Sequence, residues 1–283
     1  MSGDLTLPLP VAPPDARLLA GIGAAGAGAG RALGRGALYV ALPLAVIAAW
    51  QGAYLAGVRP VLLPSPATVA TTFWELAASG ELGHHLAVSL GRVLEGFGIA
   101  SALALPLGIG IGMSRTLDRA TDLLIQLIKP IPPIAWIPLA ILWFGIGEQP
   151  KIFIIALGAF FPVLVNTIDG IRQTDWRYVE LARVLEVPRW RFVMQVVLPG
   201  ALPAIMTGLR LGLMLGWICV VAAELIAASS GVGYLIMDAR QLSQTDVVLV
   251  GMFTIGAMGK LLDSLLRLLE RRLIVWRSDF TGT

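Results

Sequence analysis

The sequence contains few charged residues, a single cysteine and only two histidines, and each shortage excludes a class of protein. Charged residues make up 14% of the 283, whereas a soluble domain carries about a quarter. The lone Cys219 excludes a disulfide framework. His84 and His85 are adjacent, so on a helix they point about 100° apart and form a poor metal pair. We therefore predict no metal site.

Motifs for hydrolysis and for nucleic-acid binding are missing as well. No GxxxxGK[ST] phosphate-binding segment is present, so any ATP hydrolysis must take place on another chain. The arginines are scattered between apolar runs and form no basic face, which argues against nucleic acid as a partner. Ser229–Ser230 has no histidine base nearby, which argues against an intramembrane enzyme.

Long apolar runs fill the chain from residue 37 onward and predict an all-α membrane protein with about six transmembrane helices. A helix needs about 20 apolar residues to cross a bilayer, and the mean hydropathy of the chain is +0.80. The runs cover residues 37–58, 96–113, 123–146, 152–168, 201–223 and 247–273. Residues 1–36 are rich in Ala, Gly and Pro and are predicted to form a flexible cytoplasmic tail. The membrane domain is predicted to span residues 37–277.

The basic residues are divided unevenly between the two sides of the membrane. With the N-terminus inside, most arginines lie in the tail, residues 115–119, the loop 170–200 and the C-terminal segment. Arg59, Lys151 and Arg240 then lie outside, and Arg92 lies at the membrane border. This asymmetry follows the positive-inside rule and predicts that both termini are cytoplasmic. On the outer side, a helix is predicted from Pro66 to Ser79, with Gly80 after its end.

Four prolines interrupt the third apolar run, namely Pro130, Pro132, Pro133 and Pro138. Proline removes a backbone donor and bends a helix, which membrane proteins tolerate where neighbouring helices or a cavity satisfy the freed groups. Two interpretations stay open at this point. The run is either an irregular helix packed by its neighbours or a kinked helix that lines a gated pathway.

The loop 170–200 is the one long polar segment between apolar runs, and its spacing predicts two short helices. Tyr178, Leu181, Ala182 and Leu185 share one apolar stripe, and Thr174 or Asp175 can cap the first helix. Arg177, Glu180 and Arg183 lie three apart and can pair along the surface. A second helix is predicted over residues 189–197, closed by Leu198–Pro199. The loop is either a docking site for a soluble partner or a solvated hairpin.

The same loop carries a family pattern: Glu-Ala-Ala, three residues, Gly, nine residues, Ile-x-Leu-Pro. This chain keeps the spacing with Glu180, Ala182, Leu198 and Pro199, and it departs at Glu186, where the pattern has glycine. Further segments fit the same family, including those at residues 63–66, 131–138, 142–145, 198–203, 221–224 and 245–247. On these segments the chain resembles the membrane permeases of bacterial ABC importers for aliphatic sulfonates and taurine, within a group that includes nitrate and bicarbonate permeases.

The resemblance implies a type I ABC importer permease fold in the bacterial inner (cytoplasmic) membrane. It implies a homodimer with two cytoplasmic ATPase subunits, which bind ATP and Mg, and a periplasmic substrate-binding protein. This chain would hold no cofactor. The loop would couple ATPase closure to rocking of the membrane helices. The coupling residues implied are Glu180, Leu181, Ala182, Arg183, Leu185, Glu186, Leu198 and Pro199.

The candidates for the translocation pathway are Lys129, Pro132, Pro133, Trp136, Arg210 and Glu224. Glu224 is either a gate or a structural ion pair, because intramembrane ionisable groups are functional candidates by default. Lys129 and Arg210 either attract an anion, snorkel to the interface, or pair with Asp122 or Asp169. A self-contained transporter coupled to ions is the alternative function, although no internal repeat of the helices supports it. The residues leave the carried anion open among sulfonate, taurine, nitrate, bicarbonate and an aromatic acid.

Overall fold

The computed structural model describes residues 40–57 and 62–274, and the regular elements in these ranges are all helical. The predicted tail, residues 1–36, lies outside the described residues. The helices are α1 Val40–Leu55, α2 Pro66–Ala78, α3 Glu81–Met113, α4 Arg115–Ile128, α5 Ile137–Phe144, α6 Glu148–Arg172, α7 Trp176–Val184, α8 Arg189–Phe192, α9 Leu198–Ala227, α10 Val232–Gln241 and α11 Thr245–Leu273.

The helices confirm an all-α membrane protein, with four to five spans among the described residues. The helices α3, α6 and α11 and the run Arg189–Ile226 are each long and apolar enough to cross a bilayer, and α4 with α5 adds a fifth span if the bent pair counts as one. The first predicted run is represented by α1, which has 16 described residues. The described residues up to Pro66, which include α1, form a compact unit of their own. Within that unit Trp50 Nε1 donates to Pro64 O at 3.0 Å.

In the second unit, which covers the described residues from 67 to 274, α6 is the central helix and packs along both α3 and α9. Glycines permit the close approach: a Cβ at Gly96 would lie 2.7 Å from Ile155 Cγ2, and one at Gly212 would lie 2.8 Å from Val163 Cγ2. Small residues of this kind let helix backbones approach within membranes. The core between the helices is apolar, and Ile155 and Val163 are fully buried.

The third apolar run is broken rather than merely kinked. The axes of α4 and the segment Pro133–Phe144 differ by 85°, and a short 3₁₀-helix, Pro133–Trp136, links the break to α5. Pro132 and Pro133 cannot donate the N–H bonds that a continuous α-helix needs. The break therefore falls where consecutive prolines remove those donors.

The remaining short helices follow their capping signals. The helix α2 ends at Ala78, one residue before the predicted Ser79, and Gly80 adopts a left-handed φ of 80° before α3 begins. Thr72 Oγ1 donates to Asp246 Oδ2 at 2.7 Å, which ties α2 to the first turn of α11. The helix α3 begins at Glu81, fifteen residues before the predicted apolar run. The apolar run starts later than the helix because the first turns of α3 carry polar side chains.

Candidate functional site

The loop between α6 and α9 projects apolar side chains away from the rest of the chain. Tyr178, Leu181 and Leu185 are 56%, 53% and 63% exposed, so the predicted stripe is present and unpacked. Asp175 caps α7, because its Oδ1 accepts from Arg177 N at 3.0 Å. No ion pair among the described residues joins Glu180 or Arg183 to a neighbour within 4.0 Å. Their charges are therefore available to another molecule.

Glu186, at the position where the family pattern has glycine, takes a left-handed conformation. Its φ is +49°. Val187 N donates to Ala182 O at 2.9 Å and Glu186 N donates to Arg183 O at 3.2 Å, which is the paired arrangement of a Schellman helix end. A glutamate thus occupies a turn that glycine would form with less backbone strain.

The prediction that a second loop helix closes at Leu198–Pro199 is wrong. The helical run is continuous from Arg189 to Ile226 and passes through Pro199 by way of a π-helical turn, Val193–Val197. In an α-helix the ring of Pro199 would clash with the carbonyl of residue 195. The wider turn relieves that clash, and Leu198 N donates to Val193 O. The loop is therefore joined to the membrane helix without a break.

An apolar cavity of about 330 Å³ lies beside the break in the third run. We call it the Lys129 cavity, and it is lined by Lys129, Ile131, Pro133, Leu157, Gly158, Phe161, Pro162, Val165, Asn166, Leu211 and Leu215. Lys129 supplies its one charged side chain and forms no ion pair with another described residue. Asn166 Nδ2 donates to Pro162 O at 2.8 Å, so its amide is held in place.

A polar cleft of about 490 Å³ shares Lys129 and Val165 with this cavity. Its charged residues are Asp118, Asp122, Asp169 and Arg172 besides Lys129. Arg172 pairs with Asp118, which joins the end of α6 to the start of α4. The loop α7–α8 follows directly after Arg172, so the cleft lies at the loop end of the helix bundle.

The opposite end of α6 takes part in a buried polar cluster. We call it the Arg92 cluster, and its members are His85, Ser89, Arg92, Glu148, Lys151 and Glu224 together with the backbone of residues 230–233. Glu224 is 1% exposed. It accepts from Arg92 Nη1 at 2.7 Å, from Ser89 Oγ at 2.8 Å and from Gly233 N at 2.9 Å. Arg92 also binds Glu148 through two nitrogens, at 2.5 and 2.8 Å.

The cluster fixes the turn that leads from α9 into α10. Gly231 N donates to His85 Nδ1 at 3.0 Å, and Val232 N donates to Ser89 Oγ at 2.9 Å. The prediction that no histidine lies near Ser229–Ser230 is therefore wrong, because packing between α3 and this turn brings His85 beside it. Gly231 has a φ of +116°, and a Cβ there would lie 2.3 Å from the carboxyl carbon of Glu224. Glycine is thus required both by the backbone conformation and by the neighbouring carboxylate.

The predicted pathway residues do not all meet. Lys129 and Pro133 line one cavity, whereas Trp136 packs against the buried core and has a buried Nε1 without a partner among the described residues. Arg210 does not pair with Asp122 or Asp169, because its Nε binds Asp263 Oδ1 at 2.8 Å and so ties α9 to α11.

Sequence reasoning missed most of the Arg92 cluster. Arg92 and Lys151 were assigned to the membrane border and the outer side, yet they are 5% and 4% exposed. A lone basic residue beside a long apolar run was the available signal, since such charges are costly unless paired. The identity of their partners depends on packing between α3, α6 and α9, which no local pattern encodes.

Comparisons with known proteins agree with this architecture. Residues 104–275 match the model of the family described as binding-protein-dependent transport system inner membrane component. The chain is 47% identical over 242 residues to a protein of Bacillus subtilis (strain 168) named as an aliphatic sulfonates transport permease, SsuC, covering 85% of this chain and 88% of that protein. It is 39% identical over 235 residues to the taurine transport system permease protein TauC of Escherichia coli (strain K12), covering 81% and 86%.

Solved structures show the same fold. An inward-facing structure of the MetNI methionine ABC transporter matches with a TM-score of 0.59 at 17% identity, covering 65% of this chain and 92% of that one. An amino acid ABC transporter matches with a TM-score of 0.58, also at 17% identity, covering 72% and 96%. The chain therefore belongs to the family of binding-protein-dependent transport system inner membrane components, the multi-pass permease subunits of ABC importers.

Proposed function

We propose that this chain is the membrane subunit of an ATP-driven importer that moves an aliphatic sulfonate or taurine into the cytoplasm by alternating access. The observation that carries the substrate class is the similarity to proteins named as sulfonate permeases, at 47% and 48% identity over 85% and 84% of the chain. A relative named as a bicarbonate permease is 37% identical over 70% of the chain. Bicarbonate is therefore the second candidate.

The partners proposed are a second copy of the chain, two cytoplasmic ATP-binding subunits and a periplasmic binding protein. ATP and Mg would be bound by the ATP-binding subunits. The unpacked stripe of Tyr178, Leu181 and Leu185 supports docking, because an exposed apolar patch flanked by free charges is typical of an interface. Leu198 and Pro199 would pass the motion of the docked loop into α9, since the helical run is continuous there.

The proposed pathway includes the Lys129 cavity, because its walls are apolar and its charge is positive. A small organic anion offers a negative head and an apolar tail, which suit these two features. Pro132 and Pro133 would shape the opening of the cavity, and Trp136 would support it from the core side. Arg210 would hold α9 against α11, and Glu224 would close the end of the bundle opposite the loop.

Uptake by the native bacterium tests the proposed substrate. Deleting the gene for this chain should abolish ATP-dependent uptake of radiolabelled ethanesulfonate or taurine, and restoring the gene should recover it. Labelled bicarbonate and nitrate serve as the comparison anions. Unchanged sulfonate and taurine uptake together with lost bicarbonate uptake would transfer the assignment to bicarbonate.

Charge reversal in the loop tests the coupling. Glu180→Lys or Arg183→Glu should leave the chain in the membrane and lower uptake strongly, because the ATPase would meet the wrong charge. The measurement is the amount of ATPase subunit that co-purifies in mild detergent, together with uptake per ATP hydrolysed. Normal uptake in both variants would contradict docking through these residues.

A further inference from the structure

We propose that Arg92 and Lys151 form an oxyanion-binding site that the carboxylate of Glu148 occupies in this structure, and that a small sulfonate takes its place during transport. The oxyanion chemistry rests on the geometry of the Arg92 cluster. The choice of sulfonate as the oxyanion rests on the proposed function.

Three nitrogen donors converge on the carboxylate of Glu148. Arg92 Nε lies 2.5 Å from Oε2, Arg92 Nη2 lies 2.8 Å from Oε1, and Lys151 Nζ lies 2.9 Å from Oε1. The planar arginine fork matches two oxygens of one anion, as in bidentate carboxylate and phosphate recognition. A sulfonate has three oxygens on one centre, so each donor can bind one of them.

The donors are fixed inside the protein, whereas the carboxylate is at its edge. The side chains of Arg92 and Lys151 are each 5% exposed, and that of Glu148 is 54% exposed. Arg92 is held from behind by Glu224, by Ser230 O at 2.6 Å and by Ser230 Oγ at 3.2 Å. Exchange of the exposed anion therefore leaves Arg92 in place, and Lys151 is buried beside it.

Space for an exchanging anion adjoins the same residues. An open cavity of about 540 Å³ is lined by Glu148 and Lys151 and by the apolar side chains of Ile141, Ile146 and Ile226. Its walls are partly apolar, which suits the alkyl tail of an aliphatic sulfonate. A free anion is needed when Glu148 leaves, because Arg92 and Lys151 are two buried cations and Glu224 compensates only one of them.

Exchange has a consequence for the helices. Glu148 is the first residue of α6, and its bonds to Arg92 join that end of α6 to α3. A sulfonate bound to Arg92 and Lys151 satisfies the same donors and still bridges α3 and α6, because Lys151 also lies in the first turn of α6. Arrival of the substrate would thus free the side chain of Glu148 while this end of α6 stays joined to α3.

The test uses the full-length chain purified in a neutral detergent at fixed ionic strength. Its eight tryptophans report the unfolding midpoint Tm while ethanesulfonate is titrated, since a ligand that binds the folded state raises Tm saturably. In Glu148→Gln the competing charge is gone, so half-saturation should occur at a concentration at least about tenfold lower than in the wild type. Adding Lys151→Gln to this variant should remove the gain.

Matched controls separate the site from general anion effects. Glu95→Gln removes an exposed carboxylate that lies one turn after Arg92 on α3, and this variant should behave like the wild type. Neutral ethanesulfonamide should have no effect. A response to glycerol phosphate but not to ethanesulfonate would identify a lipid headgroup as the ligand and overturn the sulfonate assignment.

The proposal is overturned if Glu148→Gln responds to ethanesulfonate no more strongly than the wild type and Glu95→Gln. If Glu148→Gln does not fold, the wild type is compared with Lys151→Gln. A saturable rise in the Tm of the wild type that Lys151→Gln weakens supports the site. A wild type whose Tm does not respond to ethanesulfonate contradicts it. Uptake in the deletion strain is measured independently. A chain that restores sulfonate uptake without binding ethanesulfonate here would keep its proposed function and lose this site.

Discussion

Single residues in this chain are held in conformations that their side chains do not favour, and Glu186 is the clearest case. Its left-handed φ of +49° costs a residue with a Cβ roughly 1 kcal/mol or more. The cost is tolerated because the turn satisfies two backbone carbonyls at the end of α7. Glutamate at this position therefore keeps the left-handed turn and adds a charge to the loop surface.

Glu186→Gly should stabilise the loop. Relief of about 1 kcal/mol should slow tryptic cleavage after Arg183 and Arg189 about fivefold, because cleavage follows local opening. The measurement is the cleavage rate of the purified chain. Glu186→Ala is the control, since it removes the charge and keeps the strain. Equal slowing in both variants would show that charge, not backbone conformation, governs the opening.

Gly231→Ala should destabilise the whole second unit. The new Cβ would lie 2.3 Å from Glu224 Cδ in a backbone with φ +116°, and we expect a loss of about 3 kcal/mol or more. The measurement is Tm in detergent. Gly83→Ala is the matched control, because a Cβ there meets nothing within 4 Å. A similar Tm in both variants would contradict the described packing around Glu224.

At the scale of elements, the sequence predicted where helices occur better than how they end. The sequence predicts Thr174 or Asp175 as the cap of α7, and the structure shows Asp175. The prolines at 130–133 mark the broken span, and both effects could be predicted because they are local. The π-turn before Pro199 was not predicted, since it depends on how the carbonyls of residues 193–197 accommodate the ring. The Arg92 cluster was not predicted either, because residues 132 positions apart meet in it.

Pro199→Ala should weaken coupling between loop and membrane helix. Alanine restores the N–H that proline lacks and removes the ring clash, so the π-turn can relax to α-helix. An α-helical turn holds one residue fewer than a π-turn, so this relaxation would rotate α8 by about 100° relative to α9. Uptake per ATP hydrolysed should then fall several-fold. Pro203→Ala, one turn further on, is the control, and an equal fall there would contradict a role for the π-turn.

At the scale of the whole molecule, the two ends of α6 lie among different kinds of side chains. Glu148 and the Arg92 cluster lie at its start, and Arg172 and the projecting loop lie at its end. A helix of 25 residues is about 37 Å long, enough to cross the hydrocarbon core. We propose that the two ends face opposite sides of the membrane, with the loop in the cytoplasm as the positive-inside rule predicts.

Cysteine labelling tests this orientation. In a Cys219→Ser background, Ile146→Cys and Val184→Cys place thiols at residues that are 90% and 79% exposed. A membrane-impermeant maleimide should label Ile146→Cys on intact cells and Val184→Cys only after permeabilisation. Labelling of Val184→Cys on intact cells would place the loop outside and remove the docking proposal.

The balance of charge in the Arg92 cluster also restricts how this protein can evolve. Arg92 and Lys151 match Glu148 and Glu224 in number, and three of the four are almost entirely enclosed. A single inherited substitution at one of them leaves an uncompensated charge, so variants that persist should arise as pairs. In diverging lineages the identities at positions 148 and 151 are expected to change together, with Gly231 invariant beside them.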